Sequence, residues 1–297
     1  MKLPVLLVLS ATFTAAACTP AQNDTADQPT QTAPGNKKKG NKKAGDAPLQ
    51  NPDLRQVGKL PKLVFESSGL CAAPQPGSYF TFGDDGQAPT VFRVDGTGQV
   101  LGQFEVGAPN HDWESMSRDG SGNYYLGDCG NNNSDRQNLA VLRFRPENPA
   151  QVGVIKFRYP DQIEFPPRKK ERNFDCEASL WHGGQVYLFT KDRATQSTCK
   201  VYTVPETPGT YVAKQITQLA IPGEVTDATL SPSGHRLVLL ARQELFVLEG
   251  TSWEAILRAT PRRIDLTGAG QTEGAAFKDE KTLLITTEKG AVYELGL

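Results

Sequence analysis

Five short signatures recur along the chain, each followed by a turn and a second, more apolar run. They read Ser68-Gly-Leu-Cys-Ala, Glu114-Ser-Met-Ser-Arg, Glu177-Ala-Ser-Leu-Trp, Asp227-Ala-Thr-Leu-Ser and Glu273-Gly-Ala-Ala-Phe, at intervals of 46, 63, 50 and 46 residues. Between them lie runs such as YFTFG, TVFRVD, LAVLRFR, QVYLFT, RLVLLA and TLLITT, rich in Val, Leu, Tyr and Phe and bounded by Gly, Pro, Asp or Asn. Short strands at regular spacing with turn signals leave three architectures: a sandwich, a barrel or a propeller. A sandwich has no reason to repeat one unit five times, whereas a period of about 40–50 residues is that of a four-stranded propeller blade. The expected fold is therefore an all-β, five-bladed propeller over residues 53–297, the innermost strand of each blade opening with the signature. A sixth blade inside the long third unit would have no signature of its own.

The same reading fixes details. Small residues after the signature, Gly69, Ala178, Ala228 and Gly274, suit the crowded axis of a propeller. The outer strand of blade four is placed in PRRIDLT, and blade five lacks an outer strand after AVYEL. Lys62–Glu66, KLVFE, is expected to supply it, joining the start of the domain to its end and removing an open sheet edge.

The first seventeen residues have the anatomy of an export signal: Lys2 as the basic start, Leu3–Ala11 as a short apolar core, and Ala15-Ala16-Ala17 before a cleavage point. Ala-Ala-Ala-Cys resembles the lipobox of bacterial lipoproteins, which implies a lipidated Cys18, a membrane anchor and, with Thr19 next, sorting to the outer membrane. An ordinary secreted protein cut after Ala17 is the alternative. Residues 19–52 are polar and Pro-, Gln- and Lys-rich, and have too little apolar surface to offset chain entropy, so they read as a tether. Its lysines, Lys37, Lys38, Lys39, Lys42 and Lys43, have no interleaved aromatic residues for base stacking, and the net charge is −1. No nucleic-acid partner is expected.

Chemistry concentrates in NHDWESMSRDGSGNYYLGDCGNN, residues 110–132. Two apolar segments flank a DGSGN turn, which reads as a hairpin. Pairing its strands brings Glu114 and Asp128 to one end, with Asp112, Asn131 and Asn132 beside them. Repeating that geometry around the axis gathers Glu114, Glu177, Asp227 and Glu273 at one channel mouth, with Asp84, Asp128 and Glu288 just outside. Like charges gathered so closely raise one another's pKa. Lys191, Arg242 and Arg136 are the cations placed to neutralise them. Oxygen-only donors without a His or Cys cluster favour Ca²⁺ over zinc, with Asp112, Glu114, Asp128, Glu177 and Glu273 as the candidate ligands. The bland alternative is that these carboxylates cap backbone amides and form ion pairs.

The run N-x-D-W-E at 110–114, Y-Y-L-G-D-C-G-N-N at 124–132, F-D-C-E-A at 174–178 and Y-L-F-T-K at 187–191 resembles a group of largely uncharacterised bacterial exported propellers. That group is distantly similar to the NHL, SdiA-regulated and phytase-like propellers. The resemblance spans most of residues 65–297 and implies the fold without defining an activity.

Three functions compete. In the first, the mouth binds a small molecule, a glycan or a protein. In the second it is a hydrolase, either a glycosidase or a calcium-assisted phosphoesterase, with Glu114, Glu177 and Asp128 as the catalytic candidates. In the third it is a structural scaffold. No G-x-S-x-G elbow occurs, and His111, His182 and His235 are widely separated, which argues against a serine or cysteine triad. Export places Cys71, Cys129, Cys176 and Cys199 in an oxidising compartment, where disulfides Cys176–Cys199 and Cys71–Cys129 are the preferred pairings and buried thiols the alternative.

Overall fold

A computed structural model describes residues 49–64 and 66–297. The export signal, Cys18 and nearly all of the tether lie outside these residues.

Strand β1 (Leu54–Lys59) precedes five repeating units. The first comprises β2 (Cys71–Ala72), β3 (Ser78–Phe82), β4 (Thr90–Asp95) and β5 (Val100–Glu105); the second, β6 (Trp113–Arg118), β7 (Tyr124–Asp128), β8 (Ala140–Phe144) and β9 (Gly153–Arg158). Unit three holds β10 (Asp175–His182), β11 (Gln185–Lys191) and β12 (Cys199–Pro205), then β13 (Gly209–Val212) and β14 (Lys214–Leu219). Unit four holds β15 (Val225–Leu230), β16 (Arg236–Ala241), β17 (Glu244–Glu249) and β18 (Arg262–Asp265). The last has β19 (Thr272–Phe277), β20 (Thr282–Thr287) and β21 (Ala291–Gly296). Each unit is an antiparallel up-and-down sheet, and together they form a five-bladed propeller.

Two strands depart from this simple pattern. β13 leaves unit three and pairs in parallel with β9, so that blade two has five strands where blade one has four. β1 pairs antiparallel with β21 and closes blade five. Closure by an N-terminal strand is as expected, but the segment is Leu54–Lys59 and not Lys62–Glu66. LRQVGK is a polar edge strand with only Leu54 buried, so apolar alternation does not mark it. Lys62–Val64 instead form a turn closed by the Val64 amide donating to the Pro61 carbonyl, at 2.9 Å, and Val64 is buried between blades five and one.

An apolar cluster fills each blade interface. Phe80, Trp113, Tyr124 and Phe144 knit blades one and two, whereas Phe189, Leu239 and Phe246 knit blades three and four. Such packing fixes the rotation of each blade and so aims its inner strand at the axis. Near the axis small side chains are compulsory: a Cβ on Gly274 would stand 2.4 Å from Thr286 Oγ1 and 2.8 Å from the Gly69 backbone. Ser115 and Ser179 meet there Oγ to Oγ at 2.7 Å, both fully buried.

Candidate cation site at the channel mouth

A repeated irregularity of the inner strands creates the site. In β6 the register jumps between Trp113 and Ser115, in β10 between Cys176 and Ala178, in β15 between Val225 and Asp227, and in β19 between Thr272 and Gly274. In blade one Ser67 faces Gly83 and Cys71 faces Phe80, so the inner strand has one residue more than its partner there too. The extra residues are Ser68, Glu114, Glu177, Thr226 and Glu273. A bulge of this kind re-aims a side chain out of the alternation of the strand, and four of the five line one cavity of 330 Å³ at the mouth. A second ring comes from the residue that follows, on each second strand, the partner of the residue before the bulge: Asp84, Cys129, Lys191, Arg242 and Glu288. All of these except the buried Cys129 line the same cavity.

Seven carboxylates (Glu66, Asp84, Asp85, Glu114, Glu177, Glu273 and Glu288) line this mouth against three cations, Lys191, Arg193 and Arg242. The cations sit to one side. Lys191 Nζ lies 2.8 Å from Glu177 Oε2, and Arg193 spans Glu177 Oε1 at 2.8 Å and the buried Asp175 at 2.5 Å. Arg193 also donates to the Asn132 side chain. Arg242 is half-exposed and leans on Glu224 at 3.4 Å.

On the other side the acids have one more distant cation, Arg136, 3.8 Å from Asp112. One oxygen from each of Asp84, Asp112 and Glu114 lies within 4.8 Å of the other two. The NHDWE segment builds this cluster. Asn110 donates to the carbonyls of Gly83 and Asp84, each at 3.0 Å, and accepts the Trp113 amide at 3.0 Å, tying the end of β3 to the start of β6. Trp113 is fully buried in the core and anchors the residues on either side. Glu114 Oε2 accepts from Ser68 Oγ at 2.7 Å. Asp112 is 6% exposed, yet its Oδ1 is buried without any hydrogen-bond donor. Gly130 leaves the space: a Cβ there would fall 2.5 Å from Asp112 Oδ2 and 2.6 Å from Glu114 Oε1.

Burial first, and then mutual repulsion, weakens these acids. Burial and Asp84 push Asp112 up to about 7, with Arg136 opposing. Burial and Glu177 hold Glu114 well above the usual carboxylate range. Asp84 is raised as well, chiefly by burial. Across the mouth, burial and Glu177 lift Glu273 to about 7 while Lys191 pulls it down. Glu177 too is raised by burial and by Asp175, against the pull of Lys191 and Arg193. Burial works against the charge of Lys191, but Glu177, Glu273 and Asp175 together more than offset that cost, so the ammonium is raised and stays protonated. Three hard oxygen donors, one from each of Asp84, Asp112 and Glu114, beside a gap kept open by glycine can hold a metal ion.

Several expected residues lie elsewhere. Asp128 pairs with Trp113 and so precedes the second ring by one position; because strand side chains alternate, that single step turns it away from the mouth. It binds His111 Nδ1 at 2.7 Å and Arg136 at 2.9 Å. Arg136 is thereby occupied, also donating to the Gly130 carbonyl at 2.6 Å and standing 3.8 Å from Asp112. Asn131 is structural, its amide donating to Asp175 at 2.6 Å and its Oδ1 accepting the Arg136 amide at 2.9 Å. The bulge residue of blade four is Thr226, so Asp227 is one step out of the ring. It is fully buried and accepts the amides of Ala228 and Ala275 at 2.8 Å and Leu70 at 3.4 Å, binding three blades together. Of the five ligands expected for a metal, Asp112 and Glu114 converge; Asp84, expected just outside, replaces Asp128, Glu177 and Glu273. Its closeness depends on the Asn110 clamp, which acts between blades and leaves no spacing signal. The cysteines Cys71, Cys129, Cys176 and Cys199 are all free and buried. The expected pairings fail because Cys129 turns instead toward blade three, its Sγ 3.3 Å from the Cys176 carbonyl.

No protein-family model matches the chain, and neither does any curated protein. Among solved structures it is similar to glutaminyl cyclase from Myxococcus xanthus, with a TM-score of 0.52 and 10% identity over 82% of this chain and 95% of that one. It is also similar to the PQQ-bound aldose sugar dehydrogenase of Streptomyces coelicolor, with a TM-score of 0.48 and 12% identity over 84% and 99% of the two chains. Hydrazine synthase from Kuenenia stuttgartiensis gives a TM-score of 0.40 and 12% identity over 75% of this chain and 56% of that one. At such identity the first likeness concerns the propeller architecture alone, and the other two carry no argument.

Proposed function

We propose that the channel mouth binds a hard divalent cation, calcium before magnesium, on Asp84, Asp112 and Glu114. The observation that carries this is that Asp112, whose Oδ1 is buried with no donor to satisfy it, also brings a carboxylate oxygen within 4.8 Å of oxygens of Asp84 and Glu114. A buried polar atom left unpaired is costly, and a cation shared among three carboxylates removes that cost. Calcium suits the site because it tolerates irregular oxygen ligation and a mixture of carboxylates and water, whereas magnesium demands near-ideal octahedral geometry. Lys191 and Arg193, on the opposite wall, are already paired with Glu177 and Asp175, which leaves the mouth net acidic and suited to a cation. On this reading the protein is a binding module, held at the cell envelope by a lipid on Cys18.

The test is a calorimetric titration of calcium, and separately magnesium, into the chelated full-length chain, for wild type and Asp112→Asn. A saturable calcium isotherm that the variant weakens at least tenfold is expected; identical isotherms would overturn the assignment. A hydrolytic reading of the same mouth is favoured by one observation, that Asp112 and Glu273 are both held at about 7, where a carboxyl can donate or accept a proton near neutrality. Turnover of glycosides or phosphoesters that Glu273→Gln abolishes would establish it over simple binding.

A further inference from the structure

Beyond the mouth, we propose that a groove on the flank of blade two is a second binding site, for a free aliphatic carboxylate with a medium-length tail. The groove measures 590 Å³ and is lined by Leu142, Val154, Phe157 and Val212 together with Lys156, Arg158, His111 and Asp128. This volume is within the range of small-molecule pockets, and the composition, apolar walls with a few converging polar groups, is typical of them. The fifth strand, β13, produces it. Blade one has only four strands to set against five, so Val212, at the end of β13, is left 51% exposed.

Charge identifies the occupant. Val154, Lys156 and Arg158 alternate along β9 and line the same groove. Among the described residues neither Lys156 nor Arg158 forms an ion pair, although Arg136, Arg193 and Lys191 all do. Asp128 offers them no carboxylate, since its side chain is 4% exposed and already shared between Arg136 and His111. An ionised carboxylate only accepts, so Nδ1 of His111 donates to Asp128, and the other ring nitrogen, Nε2, is an acceptor that leaves a headgroup to Lys156 and Arg158. The ring is thus held in place by a buried acid while remaining 48% exposed. Two unpaired cations beside an aliphatic wall match one carboxylate headgroup with an alkyl chain behind it; an ionised acceptor makes the strongest hydrogen bonds with such donors.

The site is separate from the channel mouth, so the experiment is run in chelator, where the cation site has no part. Dodecanoate, and dodecan-1-ol as its uncharged counterpart, are titrated calorimetrically below their aggregation limits into the full-length chain, the Lys156→Gln/Arg158→Gln double variant and His111→Gln. All three substituted residues are solvent-accessible, so the variants are expected to fold. Dodecanoate is expected to bind one saturable site, about tenfold more weakly in the double variant and within about twofold of wild type in His111→Gln, with the alcohol at least tenfold weaker than the acid. Equal binding of acid and alcohol would reduce the groove to an apolar patch and overturn the proposal. So would unchanged affinity in the double variant, or no saturable binding at all.

Discussion

Removing the charge of Asp112 should stabilise the ion-free protein. In the folded chain its carboxyl is raised from 3.8 to about 7. A tenfold change in a proton-binding constant corresponds to about 1.36 kcal/mol, so ionising Asp112 in the native state costs up to about 4 kcal/mol more than in the unfolded chain. The open mouth admits water and Arg136 stands 3.8 Å away, so the realised figure is smaller, on the order of 1–3 kcal/mol. The sign follows from proton linkage. Between the unfolded value and about 7 the native state holds the extra proton, so ion-free stability falls as pH rises through that window and stays low above it. Asp112→Asn keeps the shape, lacks the titration and flattens that decline. For a domain of this size each kcal/mol moves the melting midpoint by roughly 2–4 °C. Thermal melts in chelator at pH 8 should therefore show the variant several degrees above wild type, and the gap should close near pH 4. Added calcium should raise the wild type alone. A variant that melts several degrees below wild type in chelator would refute this reasoning, because Asp112 would then be a structural partner of Arg136 and not a cation ligand.

Three further outcomes are expected. Gly130→Ala places a methyl group 2.4 Å from Asp112 Cγ, so calorimetry should find calcium affinity reduced by tenfold or more, about 1.4 kcal/mol, even where the fold survives. Calcium affinity measured at pH 6 should be lower than at pH 8, because protons compete for the raised carboxyls of Asp112 and Glu114; equal affinities would contradict their role. Asp227→Ala leaves the amides of Leu70, Ala228 and Ala275 without their acceptor, and denaturant unfolding should show a loss of about 2–4 kcal/mol with calcium affinity unchanged.

How far the sequence could be read depended on the kind of information involved. Blade number and order were legible because each blade repeats a local pattern: a signature, a turn and an apolar run. The stretch NHDWE was legible as a site because acids beside a tryptophan are unusual for a strand that must also pack a core. Asp128 and Asp227 were misplaced for one shared reason. The inner-strand bulge adds a residue to one strand and none to its partner, and a one-residue step exchanges the two faces of a strand. No composition marks that insertion, so Asp128 was expected at the mouth just outside the ring and is found on the flank with His111. The contribution of Asp84 was hidden differently, since it is brought in by Asn110, a contact across 26 residues. β1 and β13 escaped because a polar edge strand and a four-residue parallel addition have almost no hydrophobic pattern.

The central claim, a cation shared by Asp84, Asp112 and Glu114, is most directly tested by anomalous diffraction from crystals of the chain grown with manganese in place of calcium. One strong anomalous peak among the three carboxylates, within bonding distance of Asp112 Oδ1 and absent from crystals of Asp112→Asn, is the expected result. A map with no peak at the mouth, or with Asp112 Oδ1 hydrogen-bonded to an ordered water instead, would contradict it.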